Sequence, residues 1–260
     1  MIESAAVGAN EAAPLVEMRG IHKRYGGVQA LAGADFTVYP REIHALVGDN
    51  AAGKSSLIKS LSGAAPADEG EIRFEGKRAV IREPRHAKAL GIETVYQDLA
   101  LADNLDIPAN IFLGRELMCK GMLSPFMDLR RMRVEAGELL SRLKIRIPDL
   151  GQQVRTLSGG QRQCVSIARS IYFNARVFIL DEPTAALGVE ETRKVLQLVS
   201  EMRDQGLSVV MISHNLTHVF ELCDRISVMK TGSVVGSRRI ADTTREEVLR
   251  MIVMGREAFA

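Results

Sequence analysis

The chain has 260 residues, 46% of them hydrophobic and 25% charged. That is enough for one domain with a large core, or a core with a subdomain. A net charge of +2 is too balanced to direct the protein to nucleic acid, and no run of 18 apolar residues is present to span a bilayer. Three isolated cysteines, Cys119, Cys164 and Cys223, show no C-x-x-C spacing and read as free thiols in a reducing compartment.

In chain order, residues 1–14 are rich in Ala, Glu and Asn and lack the basic and apolar regions of a signal peptide. They read as a disordered leader. From Leu15 to about Tyr96 the pattern is β-rich. Val28–Leu31, Ala34–Val38 and Glu71–Phe74 read as strands, and Glu42–Val47 as a short buried strand. Ser55–Leu61 reads as a helix with Leu57, Ile58 and Leu61 apolar. At the strand-to-helix junction stands Gly48-Asp49-Asn50-Ala51-Ala52-Gly53-Lys54-Ser55, followed by Ser56. It fits G-x-x-x-x-G-K-[ST], the phosphate-binding loop. A strand, a glycine-bearing loop and a helix N-terminus set several backbone N–H groups around one anion, and the helix dipole adds positive potential. Lys54 is placed to reach the β- and γ-phosphates of ATP, and the Ser55 hydroxyl to ligate Mg²⁺. Ala51 is harmless there if its φ is negative and costs stability if it is not.

Glu93–Tyr96 reads as another short strand, ending at Gln97. From Asp98 to Phe173 the pattern turns helical and basic, as in Arg130-Arg131-Met132-Arg133. Within it, Leu157-Ser158-Gly159-Gly160-Gln161 precedes a helix over Arg162–Ile171. A capping box explains Ser158 and Gln161 but leaves the double glycine unexplained; Gly-Gly would let backbone amides approach a second anion. Arg176–Leu180 reads as a fully buried parallel strand. Asp181 and Glu182 follow it, as a Mg²⁺ site requires: Asp181 for the ion's outer coordination sphere, Glu182 to orient or deprotonate an attacking water. Leu207–Ser213 is a further strand, ending at His214. His214 and His218 are four apart, but residue 215 is Asn and His214 lies at a strand end, which argues against a zinc pair. Arg245–Met254 reads as a helix with Thr244 and Glu247 at capping-box spacing and Gly255 as its stop. Each motif occurs once, with no internal repeat.

The three motifs at 48–55, 157–161 and 181–182 occur in the order found in the ABC (ATP-binding cassette) ATPases, which this chain resembles from about Leu15 to Met254. The resemblance implies an α/β, P-loop NTPase cassette with a RecA-like core, an antiparallel β subdomain and an inserted α-helical subdomain. Residues 15–97 and 174–260 would form the core and 98–173 the helical insertion. By the same resemblance, Tyr25 stacks on adenine, Gln97 ligates Mg²⁺ and senses the γ-phosphate, and His214 contacts the γ-phosphate. Leu157, Ser158, Gly159, Gly160 and Gln161 would close on the ATP held by a partner subunit, so a head-to-tail homodimer is implied. Gly188 departs from the Asp usual in the family, which puts coupling between the two sites in doubt.

The runs 48–50, 96–105 and 181–188 look like those of monosaccharide importers of the ribose, xylose, galactose and fructose type. The resemblance therefore implies import of a monosaccharide such as fructose or ribose, with permease subunits and, indirectly, a periplasmic sugar-binding protein as partners. It implies a peripheral position on the cytoplasmic face of the inner membrane and no nucleic-acid partner. Alternatives are an importer for another solute, or a soluble ABC ATPase acting on DNA or ribosomes, for which 260 residues leave no room for the usual insertions. A phosphate-loop kinase or GTPase does not account for 157–161.

Overall fold

The computed structural model describes residues 13–121, 124, 126–172, 175–185 and 187–255. Most of the expected leader (1–12), Phe173 at the edge of the expected helical insertion, and Ala186 lie outside the described residues. The chain opens with β1 (Val16–Tyr25), β2 (Val28–Val38), β3 (Ile43–Gly48), α1 (Lys54–Ser62), β4 (Glu69–Phe74), β5 (Lys77–Ala79), α2 (Pro84–Ala89) and β6 (Ile92–Val95). Three helices follow: α3 (Ile107–Phe112), α4 (Leu129–Arg142) and α5 (Gly159–Ile171). Strands and helices then alternate through β7 (Val177–Asp181), α6 (Val189–Asp204), β8 (Ser208–Ile212), α7 (Leu216–Leu222) and β9 (Arg225–Lys230), ending with β10 (Ser233–Arg239) and α8 (Arg245–Met254).

Two sheets form. One is antiparallel, in the order β2-β1-β4-β5. The other runs β10-β9-β3-β8-β7-β6, with every pair parallel except the edge pair β10–β9. The central strands are buried on both faces, and successive residues serve opposite cores, as a two-residue period demands. Ile43, Ala45, Val47, Phe178, Leu180, Val209 and Met211 point to the helices α3–α8. Leu46, Val177, Ile179, Val210 and Ile212 point to α1 and the antiparallel sheet. Parallel strands also share a carboxyl end. The segments following β3, β6, β7 and β8 therefore emerge on one edge, where ligands of open α/β sheets bind.

Two elements differ from the sequence pattern. The two strands expected at 28–31 and 34–38 are one strand, β2. The register with β1 shifts between Ile21↔Ala34 and His22↔Ala32, leaving Gly33 at φ 77° as an extra residue. A bulge interrupts the apolar alternation there without ending the ladder. The helix expected from Arg162 begins at Gly159, because the Ser158 cap starts it earlier than glycine propensity suggests. The cysteines are free thiols, and burial pushes Cys164 up to about 11.

The helical stretch between β6 and β7 is not a separate layer. Ile107, Ile111, Phe112, Met132, Ala136, Leu139, Val165 and Ala168 belong to the same apolar cluster as Phe178 and Leu180. Its entry segment is tied down by Asn110, which is fully buried. Asn110 Oδ1 accepts from Ala102 N at 2.7 Å, and Nδ2 donates to the carbonyls of Ala102, Leu105 and Asp106 at 3.0, 3.3 and 2.9 Å. Removing this side chain loses four bonds to the 102–106 backbone and leaves the part-buried Ala102 N–H without its acceptor. Asn110→Ala is expected to cost about 3 kcal/mol, read as a lowered urea midpoint with an unchanged slope. A loss below about 1 kcal/mol would show that water replaces the amide.

Candidate nucleotide site

The loop between β3 and α1 is shaped by close backbone contacts. A Cβ on Gly48 would lie 2.2 Å from the Met229 carbonyl oxygen, and one on Gly53 would lie 2.7 Å from that of Ala30. Gly48 and Gly53 also have φ of 148° and 103°, so glycine is required twice over. Gly232, in the turn between β9 and β10, binds the loop to both sheets. Its N–H donates to Ala52 O and its carbonyl accepts from Ala32 N, each at 2.9 Å. The loop is thus clamped between the antiparallel sheet and the parallel one. Gly53 is the N-cap of α1 and supplies no side-chain hydrogen bond, so the helix's first N–H groups remain available to an anion.

Lys54 curls over this loop, donating to the Gly48 and Asp49 carbonyls at 2.8 Å each. Burial draws its ammonium below the usual lysine range, against the pull of Glu182, Asp181 and Asp49. Asp181 ends β7. Burial and then the neighbouring Glu182 raise its carboxyl, while Lys54 and Lys59 oppose the rise. The phosphate-loop lysine and the two acids thus share one half-buried space. Ser55 and Ser56 continue the first turn of α1.

Glu182 has φ 51°, a left-handed conformation uncommon outside glycine. Its N–H donates to Ile212 O at 3.1 Å, which fixes the turn against the end of β8. Its carboxylate meets His214 Nδ1 at 2.9 Å. The imidazole is 75% exposed and the carboxylate 17%, so the histidine covers the acid from the solvent side. His218 faces the Asn215 amide, and Asn215 caps α7. Gln97 is exposed just past β6, on the same edge. Tyr25 ends β1, 44% exposed, with the Lys23 ammonium 5.7 Å from its ring centre. The β2 strand that follows it passes Gly53 at Ala30 and Leu31.

Residues 157–161 stand apart. Among the described residues, no hydrogen bond or ion pair joins them to 48–55. Leu157 is buried. Ser158 N donates to Gln161 Oε1 at 3.0 Å, and Gln161 N donates to Ser158 Oγ at 3.3 Å, completing the capping box at the start of α5. The double glycine has an internal packing reason that the sequence did not reveal: a Cβ on Gly160 would lie 2.8 Å from Glu191 Cβ. Gly232, Asn110 and Glu191 were all missed by sequence reasoning. Only Gly232 carried a signal, the Thr231-Gly232 turn between two apolar runs.

The family model described as "ABC transporter" matches residues 31–185. The chain is 52% identical over 223 residues to the fructose import ATP-binding protein FrcA of Rhizobium meliloti, covering 84% of this chain and 86% of that one. It is 45% identical over 238 residues to the xylose/arabinose import ATP-binding protein XylG of Sulfolobus acidocaldarius, covering 92% and 93%.

The chain belongs to the ABC transporter family.

This ABC ATPase also matches a ribose import ATP-binding protein, RbsA 2 of Escherichia coli O157:H7, at 43% identity over 92% of this chain but only 46% of that longer protein. Its fold is that of a solved nucleotide-free ATP-binding cassette from an ABC transporter, with TM-score 0.80 and 24% identity over 95% of this chain and 99% of that one. Membership makes the chain an ATP-binding ATPase subunit. Against this background Ala51 is the anomaly. Its φ is 64°, the positive case in which alanine is costly. Ala51→Gly is expected to stabilise this ABC ATPase by about 1 kcal/mol, a rise of about 2–4 °C in thermal midpoint for a chain of this size. An unchanged or lowered midpoint would mean that the strain is relieved in solution.

Proposed function

We propose that this chain is the ATP-hydrolysing subunit of a sugar importer, most specifically one for a monosaccharide such as fructose or ribose. The observation that carries this reading is the pair of fructose and xylose/arabinose import relatives, each matched over more than four fifths of both chains.

The geometry supports a set of residue roles. The N–H groups of 48–55 and the Lys54 ammonium hold the phosphates of ATP, and Tyr25 offers a ring face to the adenine. The Ser55 hydroxyl, the Gln97 amide and the Asp181 carboxylate are oxygen donors suited to Mg²⁺. The fit is supported by the raised Asp181 carboxyl beside Glu182, since a divalent cation offsets that repulsion. When bound, Mg²⁺ neutralises charge on the phosphate oxygens. Glu182 takes up the proton of the attacking water. His214, whose Nδ1 lies 2.9 Å from the Glu182 carboxylate, holds that carboxylate in place and reaches toward the γ-phosphate.

The separation of 157–161 from 48–55 supports a shared site. Two subunits meet head to tail, and the start of α5 in one faces the ATP of the other. Val189, 87% exposed beside Gly188, provides apolar surface for that contact. A cleft of about 570 Å³ between β6, the segment 98–100 and α5, lined by Glu93, Arg115 and Arg169, receives a cytoplasmic helix of the permease. The exposed apolar side chains Phe126, Met127 and Leu129 extend this face. No helix among the described residues is long and apolar enough to cross a membrane. By likeness to the import relatives, the subunit works peripherally on the cytoplasmic face, and a periplasmic binding protein selects the sugar.

Three outcomes test this reading. Lys54→Ala removes the point charge on the β- and γ-phosphates, and equilibrium binding of labelled ATP is expected to be lost; unchanged affinity and turnover would remove the phosphate-loop assignment. Glu182→Gln keeps binding but slows hydrolysis by about 10²–10⁴-fold and traps an ATP-bound dimer visible by sizing chromatography. In cells lacking the chromosomal copy, uptake of radiolabelled fructose, ribose and xylose is measured with wild-type or Glu182→Gln chain supplied. Loss of uptake of one of these sugars that only wild type restores supports the importer; uptake of all three at parental levels without the chain contradicts it.

A further inference from the structure

Glu191 lies in the first turn of α6, three residues past Gly188. Its Oε2 accepts from Gly188 N at 3.4 Å. The Glu191 side chain also packs directly on Gly159 and Gly160, and the Ser158 hydroxyl and Gly160 N–H beside it hold its carboxylate below the usual range. One acid therefore ties the N-terminus of α6 to that of α5. The glycines make this possible. A Cβ on Gly160 would strike Glu191 Cβ at 2.8 Å, and one on Gly159 would lie 3.1 Å from Leu187 Cδ2. The start of α5 thus already carries an anion, and that anion belongs to the segment running back through Gly188 to Glu182.

This inference rests on the shared-site reading, in which Ser158 and Gly160 turn to the ATP of the partner subunit. Two anions cannot occupy the start of one helix at once. A terminal phosphate carries more charge and more acceptor oxygens than a carboxylate, so it wins that place once the subunits approach. Lys194, one turn along α6 and already attracting Glu191, offers the displaced carboxylate a new partner.

We propose that Glu191 is a positioning residue that couples the two sites: its carboxylate occupies the α5 N-terminus until the partner's γ-phosphate displaces it, and the displacement frees the 182–188 segment of its own subunit. Gly188, which has no side chain of its own to offer here, leaves this task to Glu191. Closure then has a threshold set by the competition between carboxylate and phosphate. The catalytic Glu182 of one subunit responds to the nucleotide of the other.

The test compares the full-length Glu182→Gln chain with the Glu182→Gln, Glu191→Gln double variant. Glutamine fills the same space against Gly160 and still serves the third helical position of a capping box, so the thermal midpoints of the monomers are expected to agree within about 3 °C. Removing the charge removes the competitor. The MgATP concentration giving half-maximal dimer in sedimentation velocity is expected to fall about three- to ten-fold. A purely structural Glu191 would move the midpoint and not the ATP requirement. Dimerisation of both chains at the same MgATP concentration, or a higher requirement for the double variant, overturns the role of Glu191 alone. If both chains bind ATP and stay monomeric, the shared site itself fails, and the coupling role with it.

Discussion

The site depends on one steric constraint: the phosphate loop runs so close to the backbone of two different sheets that no side chain fits between. Gly48 lies against the Met229 carbonyl of β9 and Gly53 against the Ala30 carbonyl of β2. Gly232 then hydrogen-bonds to the loop and to β2 together. A loop held in this way has little freedom, and its N–H groups are set before any phosphate arrives. Preorganised donors do not have to be gathered at the moment of binding. The antiparallel sheet therefore has a clear task. It is the wall against which the loop is pressed.

The acids are positioned by the other sheet. Parallel pairing sets β7 between β6 and β8, so Asp181, Gln97 and His214 leave the sheet at one edge. Glu182 is turned back by its left-handed backbone and its bond to Ile212, and His214 stands over it. Strain at such a residue persists only where the surroundings over-determine it, and two independent contacts do so here. Lys54 and Asp181, about half-buried, are both shifted by burial toward their neutral forms.

The helices between β6 and β7 place 157–161 apart from the 48–55 loop. These helices share one apolar cluster with the strands. Asn110 anchors the segment that follows Gln97, and Ser158 with Glu191 anchors the start of α5. Polar locks therefore hold the segment at 102–110 and the start of α5.

Local chemistry made much of this legible. A buried strand, a glycine loop and a helix start are written contiguously at 42–61, and the strands ending at Asp181 and His214 are short apolar runs that only a doubly covered sheet accommodates. The Ser158 capping box was equally local, since its two bonds join residues three apart. What the sequence left open depended on partners far along the chain. The break expected in β2 became a bulge because β1 continued the ladder past Gly33. The sign of φ at Ala51 was set by the two sheets gripping the loop. The double glycine looked like an opening for a distant anion, and the fold filled it with Glu191, some thirty residues on. Spacing along the chain determines which groups can make a phosphate site, because each motif is a short-range backbone geometry. Only tertiary packing decides which of those groups are strained, which are paired and which already hold a competing charge, because those outcomes depend on approach between segments that sequence distance does not record.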